Sequence, residues 1–164
     1  MTRSVLKNLK KLIFLLLIVQ TEFCFTNPSG ESIINGDVSI SRDGASTTID
    51  QSSNKAIINW KEFSINEKET TNFIQPSSAS STLNRVVGDN ISQIFGTLNA
   101  NGKVFLLNEK GILIGPNGKI NTGSFIATTL KLSNEDYNCL YGGLNEHQCK
   151  LMTAITFLKA LGLK

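Results

Sequence analysis

The stretch Ala100-Asn101-Gly102-Lys103-Val104-Phe105-Leu106-Leu107-Asn108-Glu109-Lys110-Gly111-Ile112-Leu113-Ile114-Gly115 decides the fold. Val104 to Leu107 and Ile112 to Ile114 are apolar runs of strand length. Asn-Gly opens the first, and Asn-Glu-Lys-Gly separates it from the second. Asn and Gly tolerate positive φ, so both separators read as turns with a physical cause. The same pattern extends in both directions. Val38-Ser39-Ile40, Ala56 to Trp60, Asn72-Phe73-Ile74, Ile91 to Phe95 and Phe125-Ile126-Ala127 are further runs. Asn35-Gly36, Asp43-Gly44, Gly88-Asp89-Asn90 and Pro116-Asn117-Gly118 punctuate them. No sustained helical periodicity appears between residues 33 and 130, so this part of the chain reads as all-β.

Spacing bears on the architecture. Val86, Phe105 and Phe125 follow one another at 19 and 20 residues, and Ile91 and Ile112 are 21 apart. A period near 20 is compatible with one coil of a parallel β-helix. A sandwich with short strands produces some of the same intervals, and the spacing leaves both open.

A chain of 164 residues fits one domain, and 40% hydrophobic against 18% charged residues is a globular composition. Arg3, Lys7, Lys10 and Lys11 precede the apolar run Leu12 to Val19, followed by Gln20-Thr21-Glu22. A basic start and a short apolar centre indicate a signal peptide over residues 1–26, helical while in place, with cleavage before Asn27. The run is too short for a membrane span. Lipidation at Cys24 is disfavoured, because Thr21-Glu22-Phe23 lacks the small residues expected before a lipidated cysteine. The signal accounts for the formal charge of +3, since it holds four of the 16 basic residues and one of the 13 acidic ones. The remaining body is neutral, which removes the electrostatic ground for nucleic-acid binding.

Two cysteines remain after cleavage, Cys139 and Cys149, which a secreted context allows to pair as a disulfide or to remain inert thiols. His147 is the one histidine and has no visible group of metal-ligating neighbours, so no metal or cofactor is expected. From Asn138 the character changes. Leu151 to Leu163 lacks turns and suits a short amphipathic helix, either a cap on a β-stack or a tail unrelated to the fold.

More specific stretches lie in order along the body. Gln51-Ser52-Ser53-Asn54-Lys55-Ala56-Ile57-Ile58-Asn59-Trp60-Lys61-Glu62-Phe63-Ser64-Ile65 is followed by Phe73-Ile74-Gln75-Pro76 and Leu83-Asn84-Arg85-Val86. Gln93-Ile94-Phe95-Gly96, Ala100 to Asn108 and Gly111 to Gly115 continue the series. Together they resemble the filamentous-haemagglutinin-type two-partner-secretion, or haemagglutination-activity, domain over roughly residues 32–137. The resemblance implies a right-handed parallel β-helix over residues 27–137. It also implies that the domain heads a large exported adhesin or haemolysin of a Gram-negative bacterium and addresses it to a dedicated outer-membrane β-barrel transporter.

The chain departs from that family at two places. Asn108-Glu109-Lys110-Gly111 keeps the outer residues of the family's Asn-Pro-Asn-Gly and replaces the inner two, so the turn should survive without proline's rigidity. Similarity stops after Tyr137, and residues 138–164 look foreign, as expected of a truncated or frameshifted gene or of a short independent member.

Under this reading, function lies in surfaces. Asn84, Arg85, Asn108 and Gly111 are the candidate transporter-recognition residues. Turn shaping is the alternative for the asparagines and Gly111, and a solvated surface charge is the alternative for Arg85. The product is expected outside the cell or on its surface, reached through the periplasm. A stand-alone adhesin binding a host glycan or receptor, and a non-functional remnant, are competing readings. A polysaccharide-active β-helix enzyme is disfavoured, because Asp37, Asp43 and Asp50 border turns or strand ends and the acids do not converge.

Overall fold

A computed structural model describes residues 27–137. The signal segment 1–26, the tail 138–164 and the Cys139/Cys149 pair lie outside the described residues.

Twelve strands are formed among the described residues: β1 Ser32–Asn35, β2 Val38–Asp43, β3 Ser46–Gln51, β4 Lys55–Trp60, β5 Thr70–Ile74, β6 Ser81–Val86, β7 Ser92–Ile94, β8 Thr97–Ala100, β9 Lys103–Leu107, β10 Ile112–Ile114, β11 Lys119–Asn121 and β12 Ser124–Thr128. Three sheets follow, ordered β1-β4-β6-β9-β12, β10-β7 and β11-β8-β5-β3-β2. Pairing is parallel from β3 and β4 onward, and the chain winds as a parallel β-solenoid of about 4 turns. This decides between the two architectures that the spacing left open.

The register differs from the spacing read in the sequence. Phe105 stands beside Leu83 and Ile126, Phe125 beside Val104, and Val86 beside Trp60. Ile112 pairs with Ser92 and not with Ile91. Coil length varies because residues are inserted at the corners between strands, so equal spacing finds the coil and misses its register.

At the N-terminal end the pairing changes. β1 runs antiparallel to β4, and β2 antiparallel to β3. Asp43-Gly44 closes the β2–β3 hairpin, with Gly44 at φ +52. The β1–β4 register shifts between Ile33 and Asn35. A bidentate Arg42–Glu31 contact (3.0 and 2.6 Å) ties the segment before β1 to β2, and Arg42 holds the Glu31 carboxyl below its ordinary range.

Alternation along the strands sorts the core. Ile58, Trp60, Val86, Val104 and Leu106 point into the solenoid, where Ile49, Phe73, Ile94 and Leu98 meet them. Burying each such side chain is favourable by about 1.5–3 kcal/mol. The opposite face of the same sheet is also covered. Ile57, Leu83 and Phe105 stand in register and form a second cluster with Leu107 and Tyr137, with Leu132 packed against it. The covering strap, residues 129–137, ends in one helical turn opened by Ser133, whose Oγ accepts from the Asp136 amide at 3.0 Å. Tyr137 stacks edge-on to Phe105 and donates from its hydroxyl to Ser81 Oγ at 2.8 Å.

Side-chain amides close one corner of the stack. Gln75 Oε1 accepts from the Gly102 amide at 2.9 Å, and Gln75 Nε2 donates to Thr82 Oγ1 at 3.0 Å. Thr82 donates in turn to Gln51 Oε1. A Cβ on Gly102 would stand 2.7 Å from the Ser80 carbonyl oxygen and 2.9 Å from that of Ser77, so only glycine lets this corner close.

Candidate functional site

The four candidate recognition residues lie at one corner of the large sheet, in different environments. Arg85, near the end of β6, pairs in register with Leu107, and Asn108 to Gly111 form the turn directly after β9.

Asn84 points inward and is fully buried. Its Oδ1 accepts from Trp60 Nε1 at 2.9 Å and its Nδ2 donates to the Phe105 carbonyl at 3.2 Å. A buried indole N–H without an acceptor is costly, so this position needs a side-chain carbonyl.

Asn108 is likewise buried. Its Oδ1 accepts from the Lys110 amide at 2.9 Å, while its Nδ2 donates to the Asn90 carbonyl and Ser92 Oγ, both at 3.0 Å. The Gly111 amide closes the turn onto the Asn108 carbonyl at 3.1 Å, and the Gly111 carbonyl accepts from Ser92 at 2.9 Å. Gly111 has φ +131, and a Cβ there would stand 3.2 Å from Ile91 Cγ2. The turn is therefore closed without the family's proline, and it pins its coil to the corner at Asn90 and Ser92 of the coil before it.

Arg85 is the exception in facing outward. Its guanidinium donates to Asn59 Oδ1 at 3.3 Å and to the Leu132 carbonyl at 2.8 Å. Burial lowers its pKa, and Glu135 nearby works against that. The strap arches over it and leaves a groove of about 300 Å³ lined by Arg85, Val86, Leu107, Glu109 and Leu130 among others. In the folded protein the side chains of Asn84 and Asn108 are inaccessible and Arg85 is engaged by the strap.

A polar column escaped the sequence reading. Asn121 Nδ2 donates to Asn99 Oδ1 at 3.0 Å, Asn99 Nδ2 to Asn72 Oδ1 at 2.9 Å, and Asn72 Nδ2 to Ser46 Oγ at 3.3 Å. The ladder lines a shallow groove of about 510 Å³ with Thr48, Ile74 and Asn101. Its signal was present in Thr70-Thr71-Asn72, Thr97-Leu98-Asn99 and Lys119-Ile120-Asn121, each a strand start with asparagine third.

At the C-terminal end of the solenoid, β10, β11 and β12 are each paired on one side only. Leu113, Ile114 and Ile126 are exposed there.

Comparison with known proteins accords with this geometry. A family model described as the TPS secretion domain matches residues 25–153. The heme/hemopexin-binding protein of Haemophilus influenzae strain Rd is 40% identical over 111 residues, which are 68% of this chain and 12% of that protein. A second Haemophilus influenzae heme/hemopexin-binding protein is 41% identical over 112 residues, again 68% of this chain and 12% of its own length. This chain thus spans a small part of the curated relatives. The crystal structure of the HMW1 secretion domain from Haemophilus influenzae superposes with a TM-score of 0.67 at 41% identity, over 70% of this chain and 30% of that one. The family is a secretion domain of exported proteins and not an enzyme family. By sequence and by fold, the chain belongs to the TPS secretion-domain family.

Proposed function

We propose that this chain directs export across the outer membrane by presenting itself to the periplasmic domains of a two-partner-secretion β-barrel transporter. Membership of the secretion-domain family carries the reading, and the placement of the candidate residues gives it a form. Asn84 and Asn108 have no accessible side chain once the solenoid is wound. A role for Asn84, Arg85, Asn108 and Gly111 in recognition therefore belongs to the chain before folding, when β-prone segments can add as strands to a sheet edge of the transporter. Folding coil by coil outside the cell then buries Asn84 and Asn108 and engages Arg85 with the strap, so the exported form no longer competes for the transporter.

The test is capture of the transporter's periplasmic domains by the exported chain, presented either freshly diluted from denaturant or already folded. Capture by the unfolded presentation alone is expected, weakened by Arg85→Ala or Asn108→Ala. Equal capture by both presentations, unaffected by either substitution, would refute the assignment.

A second reading is adhesion to a host glycan or receptor, and the amide-lined groove over Asn72, Asn99 and Asn121 favours it because side-chain amides can both donate to and accept from sugar hydroxyls. Loss of host-cell attachment in Asn99→Ala, with export intact, would support it. The haem chemistry in the relatives' names does not transfer to residues 27–137. These hold no His, Cys or Met, and their one tyrosine, Tyr137, is buried with its hydroxyl bonded to Ser81, so no axial iron ligand is offered by the described residues.

A further inference from the structure

We propose that the strap, residues 129–137, is a latch: it closes only after the coils have wound, and once closed it keeps them from unwinding. The use given to it rests on the export reading. Wound coils can slip back only until the strap docks, so its closure commits the chain to the outside of the cell.

The docking site fixes the order of events. Ile57, Leu83 and Phe105 come from β4, β6 and β9, and they form one outward apolar column only when those strands are paired in register. Tyr137 needs two strands at once, since it donates to Ser81 Oγ of β6 at 2.8 Å and meets the Phe105 ring of β9 edge-on at 5.6 Å. Arg85 of β6 is likewise held by β4, through Asn59 Oδ1 at 3.3 Å, while it donates to the Leu132 carbonyl at 2.8 Å. The two fastenings join residues 56 and 47 positions apart. A surface spread over three strands cannot bind the strap before those strands are wound, so the strap has little part in the transition state for winding.

Once closed, the strap does what sheet pairing alone does not. Each strand of the large sheet pairs only with its neighbours, and a stack of that kind loosens coil by coil. The strap spans β6 and β9 and packs on the column that continues to Ile57 of β4. Neither β6 nor β9 can leave its neighbour without lifting the strap and wetting that column, which is otherwise buried.

The strap can nevertheless open by itself. Leu130, Lys131, Ser133 and Glu135 are exposed, and the exposed pair Lys131–Glu109 at 3.4 Å adds little. The fit is loose: a groove of about 300 Å³ stays open beside Arg85 and Leu132, and Asn134 Oδ1 is buried with no hydrogen-bond partner. An element with few buried side chains opens locally, ahead of the coils beneath it.

The experiment is unfolding and refolding of the exported chain in urea with no transporter present. Fluorescence of Trp60, the single tryptophan, reports on the inside of the coils. Tyr137→Ala should speed unfolding by at least about tenfold and change refolding by less than about twofold. Leu132→Ala, which leaves the tyrosine bond in place, should act in the same sense and serves if Tyr137→Ala does not fold. Ile58→Val, a deletion inside the coils, should instead slow refolding. Strap variants that slow refolding as Ile58→Val does, or that leave unfolding unchanged, overturn the latch. Because no transporter takes part, a failed latch leaves the export reading standing, and secretion with and without the transporter tests that reading separately.

Discussion

Replacing Asn84 by leucine keeps side-chain volume inside the solenoid and removes both hydrogen bonds made by the amide. Trp60 Nε1 loses the acceptor at 2.9 Å and the Phe105 carbonyl loses the donor at 3.2 Å. The surviving indole N–H is sealed from water, since Trp60 and Asn84 are 0% exposed, while Phe105 keeps a further interaction. An unsatisfied buried donor or acceptor costs about 1–3 kcal/mol. The stranded indole N–H implies a loss of about 1–3 kcal/mol, a sizeable share of the roughly 5–15 kcal/mol that holds a domain folded. Urea unfolding followed by circular dichroism measures it, and the slope should stay constant if only stability changes. A double-mutant cycle isolates the cause. Trp60→Phe removes the stranded N–H, so in that background Asn84→Leu should cost less by about 1–2 kcal/mol. A loss below about 1 kcal/mol, or an equal loss in both backgrounds, would refute the hydrogen-bond argument.

Other substitutions probe the corner and the strap. Gly111→Ala forces a side chain into φ +131 beside Ile91 and should cost about 1–3 kcal/mol, read as a lower melting temperature; an unchanged midpoint would contradict the strain. Tyr137→Phe removes the bond to Ser81 Oγ at 2.8 Å and should cost about 1 kcal/mol, with faster hydrogen exchange confined to the strap and the strands beneath it. The Glu31–Arg42 contact sets a pH dependence of known sign. Because the folded carboxyl titrates below its unfolded value, the stabilisation is present above the ordinary carboxylate range and is lost as pH falls through the lowered value. Wild type should therefore exceed Glu31→Gln in stability near neutrality by a few tenths of a kcal/mol, for a pair this exposed, and match it in acid.

Much of the fold was legible because its causes are local. Asn108 to Gly111 announced a turn that Gly111 closes at positive φ, whereas Asn101-Gly102 marks a corner where glycine is needed for close approach and not for positive φ; the apolar runs that follow the two became β10 and β9. Register was not legible, because residues inserted at corners such as 61–69 and 75–80 make coils unequal. The antiparallel start was readable in Asp43-Gly44, a hairpin dipeptide whose meaning depends on which strands it joins. At the candidate site, Asn84 sits in Ser-Thr-Leu-Asn-Arg-Val, where a polar residue gives no sign of facing inward. Its burial follows from Trp60, 24 residues earlier, whose indole N–H requires an acceptor in the next coil. Arg85 stands next to Asn84 as a charge whose sequence neighbours do not tell recognition from solvation, and its role as an anchor of the strap depends on Leu132, 47 residues later.

The central claim, that this chain addresses itself to an outer-membrane transporter, is tested most directly by fractionating cells that express it with and without a two-partner-secretion transporter from the same genome. The chain should reach the medium or the cell surface only when the transporter is present, and accumulate in the periplasm otherwise. Periplasmic retention beside a working transporter, or release without one, would contradict it.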